Sequence, residues 1–151
     1  MILAELVWQT LGHDSSSHIL CIAESNNAVD VICRRLRDMG LDPVRDTPHY
    51  EASPDLWALT PDRLLGSEGT SSARRRVVQN ASIVCMTLLR AASSRMRNLR
   101  FDLVIIDEAS QISEAMSWVS LHLGMIPSPL RIVCFRLVYV ELKINWLSVA
   151  I

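Results

Sequence analysis

Apolar residues along this chain alternate between helical spacing and short continuous runs. Helical spacing predicts two amphipathic helices, over residues 1–12 and 26–40, each of which ends at a glycine. Continuous apolar runs predict three strands, at residues 19–23, 82–86 and 103–106. Strands that alternate with helices indicate an α/β fold, in which helices cover both faces of a parallel sheet and the strands are apolar throughout. We therefore expect the three strands to be parallel neighbours whose polar carboxyl ends share one edge of the sheet.

The pattern is broken in two places. Residues 42–72 hold four prolines and two glycines, so we expect a long loop or insertion there, with one short helix around residues 55–65. Residues 125–151 are apolar and rich in β-branched side chains, which predicts either one more strand or a poorly packed tail. The predicted organisation is a sheet domain over residues 1–124, which ends with a helix over residues 113–124 and is followed by the atypical apolar tail.

The length of the chain indicates a single domain, and its charge excludes some classes of binding protein. A chain of 151 residues, 50% of them apolar, can bury the core of one domain. Its net charge of −1 argues against a protein whose whole surface binds nucleic acid or anionic lipid. Charge is nevertheless uneven, because no acidic residue lies between Gly69 and Phe101; this arginine-rich window is either a solvated helix face or a strip that faces phosphates. The window holds seven arginines: Arg74, Arg75, Arg76, Arg90, Arg95, Arg97 and Arg100.

The cysteines and the apolar runs indicate the compartment. The four cysteines are far apart and form no C-x-x-C pair, so they predict buried thiols in a reducing compartment rather than a zinc site or a disulfide framework. The sequence shows no secretory leader with a cleavage site, and no uninterrupted apolar run of about 18 residues. We therefore expect a cytoplasmic or nuclear protein with no membrane partner.

Two adjacent carboxylates, Asp107 and Glu108, directly follow the apolar residues 103–106. Ligands of open parallel sheets bind outside the carboxyl ends of the strands. Nucleotide hydrolases use an aspartate in this position to hold Mg²⁺ against the β- and γ-phosphates, and a second carboxylate can accept a proton from an attacking water. The structural alternative is that Asp107 caps a helix that begins near Ser110.

Three segments of the chain match a set of motifs, in the order in which the motifs occur. Residues 19–30 read ILCIAESNNAVD, residues 81–89 read ASIVCMTLL and residues 104–111 read VIIDEASQ. They resemble an apolar strand followed by A-P-S-N-x-A-V-D, a strand that ends in a threonine, and a Walker B element that ends in D-E-A-S/T-Q. Glu24 stands where the first motif has its proline. The combination covers residues 19–115 and resembles superfamily 1 helicases of the group typified by the nonsense-mediated-decay RNA helicase.

The resemblance implies a partial RecA-like domain, a parallel sheet of the P-loop NTPase type with flanking helices. It implies a helicase core that uses ATP and Mg²⁺ and acts on single-stranded RNA or DNA. By this resemblance Asp107 would bind Mg²⁺ through water and so help to bind the nucleotide. Glu108 would polarise the hydrolytic water, and Gln111 would couple the nucleotide site to the nucleic-acid path.

Three further positions match residues that line the backbone of the single strand in this family: Ser25, Asn26 and Thr87. Each also has a local alternative. Ser25 and Asn26 could cap the helix that follows them, and Thr87 could simply end a strand. The sequence leaves both interpretations of these residues open.

The motif that binds nucleotide phosphates in such enzymes is missing from these 151 residues. It requires a glycine-rich loop of the form G-x-x-x-x-G-K-[ST], whereas the chain has a single lysine, Lys143, and no such pattern. Cys134 and Phe135 stand where the family has glycine and aspartate, and the family's second domain, with its arginine for the γ-phosphate, is not found. We therefore expect the sheet to lack the phosphate-loop strand, the chain to begin just after that loop, and the fragment to be inactive as an ATPase or helicase alone.

Two other interpretations stay open. A non-catalytic nucleic-acid or protein interaction module could have kept the βα scaffold of a helicase, and the arginine-rich window favours it. Alternatively, the chain does not fold stably, because a sheet without its phosphate-loop strand exposes apolar surface. Salt-sensitive RNA binding without nucleotide dependence would favour the module, and concentration-dependent aggregation would favour instability.

Overall fold

A computed structural model of the chain describes residues 2–66, 69–96 and 99–107, and the backbone of residues 131–134. At its centre five strands form one parallel sheet. The strands are β1 (Ile19–Ala23), β2 (Val44–Arg45), β3 (Ile83–Thr87), β4 (Leu103–Ile106) and β5 (Arg131–Cys134). Their order across the sheet is β2, β3, β1, β4, β5. The three predicted strands are thus parallel neighbours, as expected, with the first of them in the middle.

Helices flank the sheet, as the alternation of patterns predicts. They are α1 (Ile2–His13), α2 (Asn26–Asp38), α3 (Pro61–Leu65), α4 (Ser71–Asn80) and α5 (Leu88–Ala91). Just beyond α2, Gly40 adopts a left-handed φ of 77°, and its N–H donates to the carbonyl of Arg37 at 2.8 Å. By contrast α1 continues one residue past Gly12, because a glycine weakens a helix without by itself ending it. Within the described ranges no helix is long and apolar enough to cross a membrane.

Both faces of the sheet are buried, which explains why its central strands are apolar at every position. All five residues of β1 are 0% exposed. Successive side chains of a strand point to opposite faces, so alternate residues of β1 enter two separate core clusters. One cluster packs the sheet against α1 and α2, and the other packs it against α5 and the segment that precedes β4.

Residues 42–72 contain more regular structure than the sequence predicts. The expected short helix around residues 55–65 is present as a 3₁₀ helix, Pro54–Leu59, followed by α3. The segment also supplies β2, which pairs with β3 at one end of the described sheet. This strand was not predicted, because it has only two residues and one of them, Arg45, interrupts the apolar pattern by which strands are recognised.

The last described residues, 131–134, form β5, whose backbone pairs in parallel with β4. Of the two alternatives for residues 125–151, a further strand is therefore present over this short stretch. The helix expected over residues 113–124 and the rest of the tail lie outside the described residues.

Three of the four cysteines form a buried thiol cluster between β1, β3 and α2. Cys21 and Cys85 are register partners on neighbouring strands, and Cys33 joins them from α2 in the same core cluster. All three are 0% exposed and free, which confirms the expectation of buried thiols for these residues. Hydrogen bonding with the Cys85 thiol, together with burial, raises the pKa of Cys33. Hydrogen bonding with Cys21 and burial likewise raise the pKa of Cys85.

We expect these thiols not to react in the folded chain, because all three are buried away from the reagent and the raised pKa values of Cys33 and Cys85 disfavour their thiolates. A Cys134→Ser variant leaves only the three buried cysteines. Ellman's reagent at mildly alkaline pH should detect no thiol in this variant under native conditions, and all three after unfolding in guanidinium chloride. Rapid labelling of any thiol in the native variant would contradict the buried cluster.

Candidate functional site at the carboxyl edge of the sheet

The carboxyl ends of β1, β3 and β4 lie side by side, and we refer to this place as the carboxyl edge. Register pairing joins Ala23 to Thr87 and Ile22 to Ile106. The N–H of Asp107 donates to the carbonyl of Ile22 at 2.8 Å. The predicted shared edge is thus confirmed, and in open parallel sheets it is the edge where ligands bind.

Asp107 follows β4 at the carboxyl edge and is half-buried. Mg²⁺ keeps several waters and is bound by one or two carboxylates together with phosphate oxygens, so a single aspartate suits a metal that arrives with a nucleotide. Among the described residues, no three His, Cys, Asp or Glu side chains are grouped so that they could hold a metal ion. Glu108 and Gln111, the other two residues that the resemblance assigns to catalysis, lie outside the described residues.

A cradle for the nucleotide's phosphates is missing from the described part of the chain. Such cradles are glycine-rich turns that lead from a strand into a helix. The described glycines lie near the end of α1, after α2, after α3 and before α4, and none of them directly follows a strand. The described residues therefore do not fit the binding of ATP by themselves, although Asp107 is placed where a nucleotide-bound Mg²⁺ could be held.

Ser25 and Thr87 both lie at the carboxyl edge but differ in exposure and contacts. Ser25 is exposed, and its Oγ accepts from the backbone N–H of Ala28 at 3.1 Å as the N-cap of α2. Its capping role is therefore present, while the same hydroxyl can still donate to another group. Thr87 is the last residue of β3 and is 8% exposed, and its side chain makes no capping hydrogen bond to α5.

Asn26 belongs to a buried network centred on Arg45. The Nη2 of Arg45 donates to Asn26 Oδ1 at 2.8 Å, and its Nε donates to Asp30 Oδ1 at 2.9 Å. The backbone N–H and the hydroxyl of Ser53 donate to Asp30 Oδ2 at 2.9 and 2.7 Å. Arg45 is 0% exposed and Asp30 is 2% exposed. The network therefore joins β2, the first turns of α2 and the start of the Pro54–Leu59 3₁₀ helix.

Sequence reasoning missed Arg45 and Asp30, although one signal was available. Asp30 is three residues before Cys33 and lies at the edge of the apolar stripe of α2, where burial of its carboxylate requires a partner. Asn26 is four residues earlier, which on a helix places both side chains on one face. The spacing predicts a shared partner but does not identify it, since that partner lies on β2.

Two described arginines of the arginine-rich window, Arg90 and Arg100, lie at opposite edges of the sheet. Arg74 forms an ion pair with Asp62 at 2.6 Å, and Arg90 forms one with Asp46 at 3.5 Å. Arg90 and Asp46 follow β3 and β2, so this pair lies at the carboxyl edge. Arg100 precedes β4 at the opposite, amino edge, where it lines a cavity of about 200 Å³. Arg90 and Arg100 therefore do not belong to one continuous strip that faces phosphates.

Comparisons with known proteins agree with the α/β fold of the chain. A family model described as an AAA domain matches residues 63–127. Regulator of nonsense transcripts 1 homolog from Neurospora crassa is 30% identical, in an alignment that covers 73% of this chain and 13% of that protein. The protein of the same name from Arabidopsis thaliana is 37% identical, over 76% of this chain and 12% of that protein. ATP-dependent helicase upf1 from Schizosaccharomyces pombe is 26% identical, over 77% of this chain and 16% of that protein.

The parallel sheet with flanking helices, together with the AAA match, is consistent with part of a P-loop NTPase domain. Within that class the chain has distant similarity to superfamily 1 helicases of the nonsense-mediated-decay group, over about three quarters of its length. It spans only 12 to 16% of the length of these curated relatives.

Proposed function

We propose that the chain is a fragment of an ATP-dependent nucleic-acid helicase core whose carboxyl edge contacts the backbone of single-stranded RNA or DNA. The observation that carries the proposal is the shared edge itself, which unites Ser25, Thr87 and Asp107 from three separate parts of the sequence. A helicase needs its strand contacts and its nucleotide contacts within reach of each other. Their convergence at one edge supports this function over that of an unrelated α/β domain.

The nucleic-acid contacts are proposed for Ser25, Asn26 and Thr87. Hydroxyl and carboxamide groups can donate to phosphate oxygens, and such contacts fix the position of a strand without reading its bases. The nucleotide contacts are proposed for Asp107, with Mg²⁺ bound through water. Glu108 would polarise the attacking water.

The proposal includes no ATP turnover by the fragment alone. Gln111 would couple the nucleotide to the nucleic-acid path only in a protein that also provides a phosphate loop. The 151-residue chain is therefore expected to bind single strands in the same way with and without Mg·ATP. This behaviour distinguishes it from a complete motor, whose affinity for nucleic acid depends on the nucleotide.

A matched pair of arginines tests whether the carboxyl edge binds nucleic acid. Arg90 lies at this edge and Arg100 at the amino edge, and replacing either with glutamine removes one positive charge. Arg90→Gln should weaken binding of a labelled single-stranded RNA of roughly 12 nucleotides and should reduce the slope of log K against log salt by about one. Arg100→Gln should leave the affinity and the slope unchanged.

Fluorescence anisotropy over a range of salt concentrations measures both quantities, with and without Mg·ATP, and a DNA strand of the same length tests the preference for RNA. An equal loss in the two variants would show that the carboxyl edge is not the binding surface. A larger loss for Arg100→Gln would move the surface to the amino edge and overturn the proposal.

A further inference from the structure

The buried guanidinium of Arg45 fixes which way the carboxamide of Asn26 faces. Arg45 Nη2 lies 2.8 Å from Asn26 Oδ1. A guanidinium has hydrogen-bond donors and no acceptor, so only the oxygen of the carboxamide can face it. The opposite orientation would place an NH₂ group against a donor. The Nδ2 of Asn26 must therefore face away from Arg45.

The rest of the network holds this orientation in place. Asp30 accepts from Arg45 on one oxygen and from Ser53 on the other, so both oxygens of the carboxylate that anchors the guanidinium are engaged. Arg45 is 0% exposed, so bulk water does not contact its guanidinium in place of Asn26. Rotation of the carboxamide would leave a buried donor without a partner, at a cost in free energy. Asn26 itself is only part-buried, so part of this residue is open to a ligand.

We propose that Arg45 is a positioning residue for nucleic-acid binding. It holds the Asn26 carboxamide so that the two N–H donors meet a ligand group that only accepts hydrogen bonds, a phosphodiester oxygen of single-stranded RNA or DNA. The inference rests on the proposed function, which places the nucleic-acid backbone at the carboxyl edge. It also accounts for the spacing of Asn26 and Asp30, since the two side chains bind one guanidinium. Contact through these donors does not depend on the base sequence.

Asn26→Asp tests the outward donor, and Asn27→Asp is its matched control. In Asn26→Asp one carboxylate oxygen still accepts from Arg45, so the fold is kept, whereas the outward NH₂ is replaced by an oxygen that repels phosphate. Asn27 is the next residue and is exposed, so the control adds the same charge beside the site. Asn26→Asp should weaken binding of single-stranded RNA by about tenfold, which corresponds to the loss of one hydrogen bond to a charged group. Its thermal midpoint should not fall, and Asn27→Asp should weaken binding much less.

Arg45→Lys tests the positioning role itself. Lysine keeps the charge beside Asp30 but lacks the fork that reaches Asp30 and Asn26 together, so the carboxamide is released. Arg45→Lys should weaken RNA binding in the 151-residue chain and should cause no further loss in an Asn26→Ala background, because a positioning residue acts only through the group that it positions. Circular dichroism shows that each variant is folded at the temperature of the assay. A purely structural effect of Arg45 would weaken binding in both backgrounds.

The outcomes separate this inference from the proposed function. If the 151-residue chain binds RNA but Asn26→Asp binds as well as Asn27→Asp, the outward donor is refuted and the proposed function stands. If Arg45→Lys weakens binding equally in the Asn26→Ala background, the positioning role of Arg45 is refuted and the proposed function stands. If the chain binds neither single-stranded RNA nor DNA, the proposed function fails and the positioning role fails with it.

Discussion

Replacing Arg45 with methionine should lower the free energy of unfolding by about 3–5 kcal/mol, the usual loss when one partner of a buried ion pair is removed. Arg45 Nε and Asp30 Oδ1 lie 2.9 Å apart, and the two side chains are 0% and 3% exposed. Methionine fills much of the same space, so the loss comes mainly from the carboxylate of Asp30, which stays buried without its cation. It is a large share of the roughly 5–15 kcal/mol that stabilises a domain. Urea denaturation followed by circular dichroism measures the change.

Two variants serve as controls for this prediction. Arg45→Met combined with Asp30→Asn removes both charges, and should cost clearly less than the sum of the two single changes. Arg34→Met breaks an ion pair with Asp55 whose side chains are 42% and 52% exposed, and it should change stability far less than Arg45→Met. If Arg45→Met and Arg34→Met lower the free energy of unfolding by the same amount, the buried pair does not hold β2 to α2.

A phosphate loop supplied ahead of the chain should convert a protein without affinity for nucleotide into one that binds Mg·ATP. The 151 residues contain no G-x-x-x-x-G-K-[ST] pattern, and a Mg²⁺ held by Asp107 depends on the phosphates that it also binds. Positioning and electrostatic stabilisation supply most of an enzyme's rate enhancement, which is at least about a millionfold. The chain alone should therefore hydrolyse no ATP above background. The extended chain should bind Mg·ATP without full turnover, because it still lacks the second domain's arginine.

Binding of a fluorescent ATP analogue and release of phosphate measure the two halves of this prediction, each with and without single-stranded RNA. Asp107→Ala combined with Glu108→Ala is the control, and in the extended chain it should remove the dependence of nucleotide binding on Mg²⁺. RNA-stimulated hydrolysis by the 151-residue chain that is lost in this control would contradict the prediction. Such a result would reveal a phosphate site that the sequence pattern does not show.

The elements that could be predicted are those whose own residues encode them. β1, β3 and β4 are continuous apolar runs because both faces of the sheet are buried, and α2 carries an apolar stripe because one of its faces packs on the sheet. β2 is different: it is a strand because it pairs with β3, and its own residues do not encode a strand pattern. Arg45 at its end can be buried only because Asp30 and Asn26 on another element accept its hydrogen bonds.

The sequence could predict those parts of the candidate site whose position depends only on the direction of the strands. Parallel strands bring their carboxyl ends to one edge, so Thr87 and Asp107 could be placed there from the sequence. The environment of Asn26 could not be predicted, because its partner Arg45 lies 19 residues away in a segment that was expected to be a loop. The proposed roles of Glu108 and Gln111 stay predictions.

The central place of β1 also affects the chain while it is being synthesised. β1 lies between β3 and β4. One of its edges can pair only after β3, which begins at Ile83, has been synthesised, and the other only after β4, which begins at Leu103. At about 5–20 residues per second of translation, this apolar strand stays unpaired on the ribosome for several seconds. Unpaired apolar strands associate readily with other chains. Residues that are fully buried in the folded protein are therefore open to aggregation before it folds.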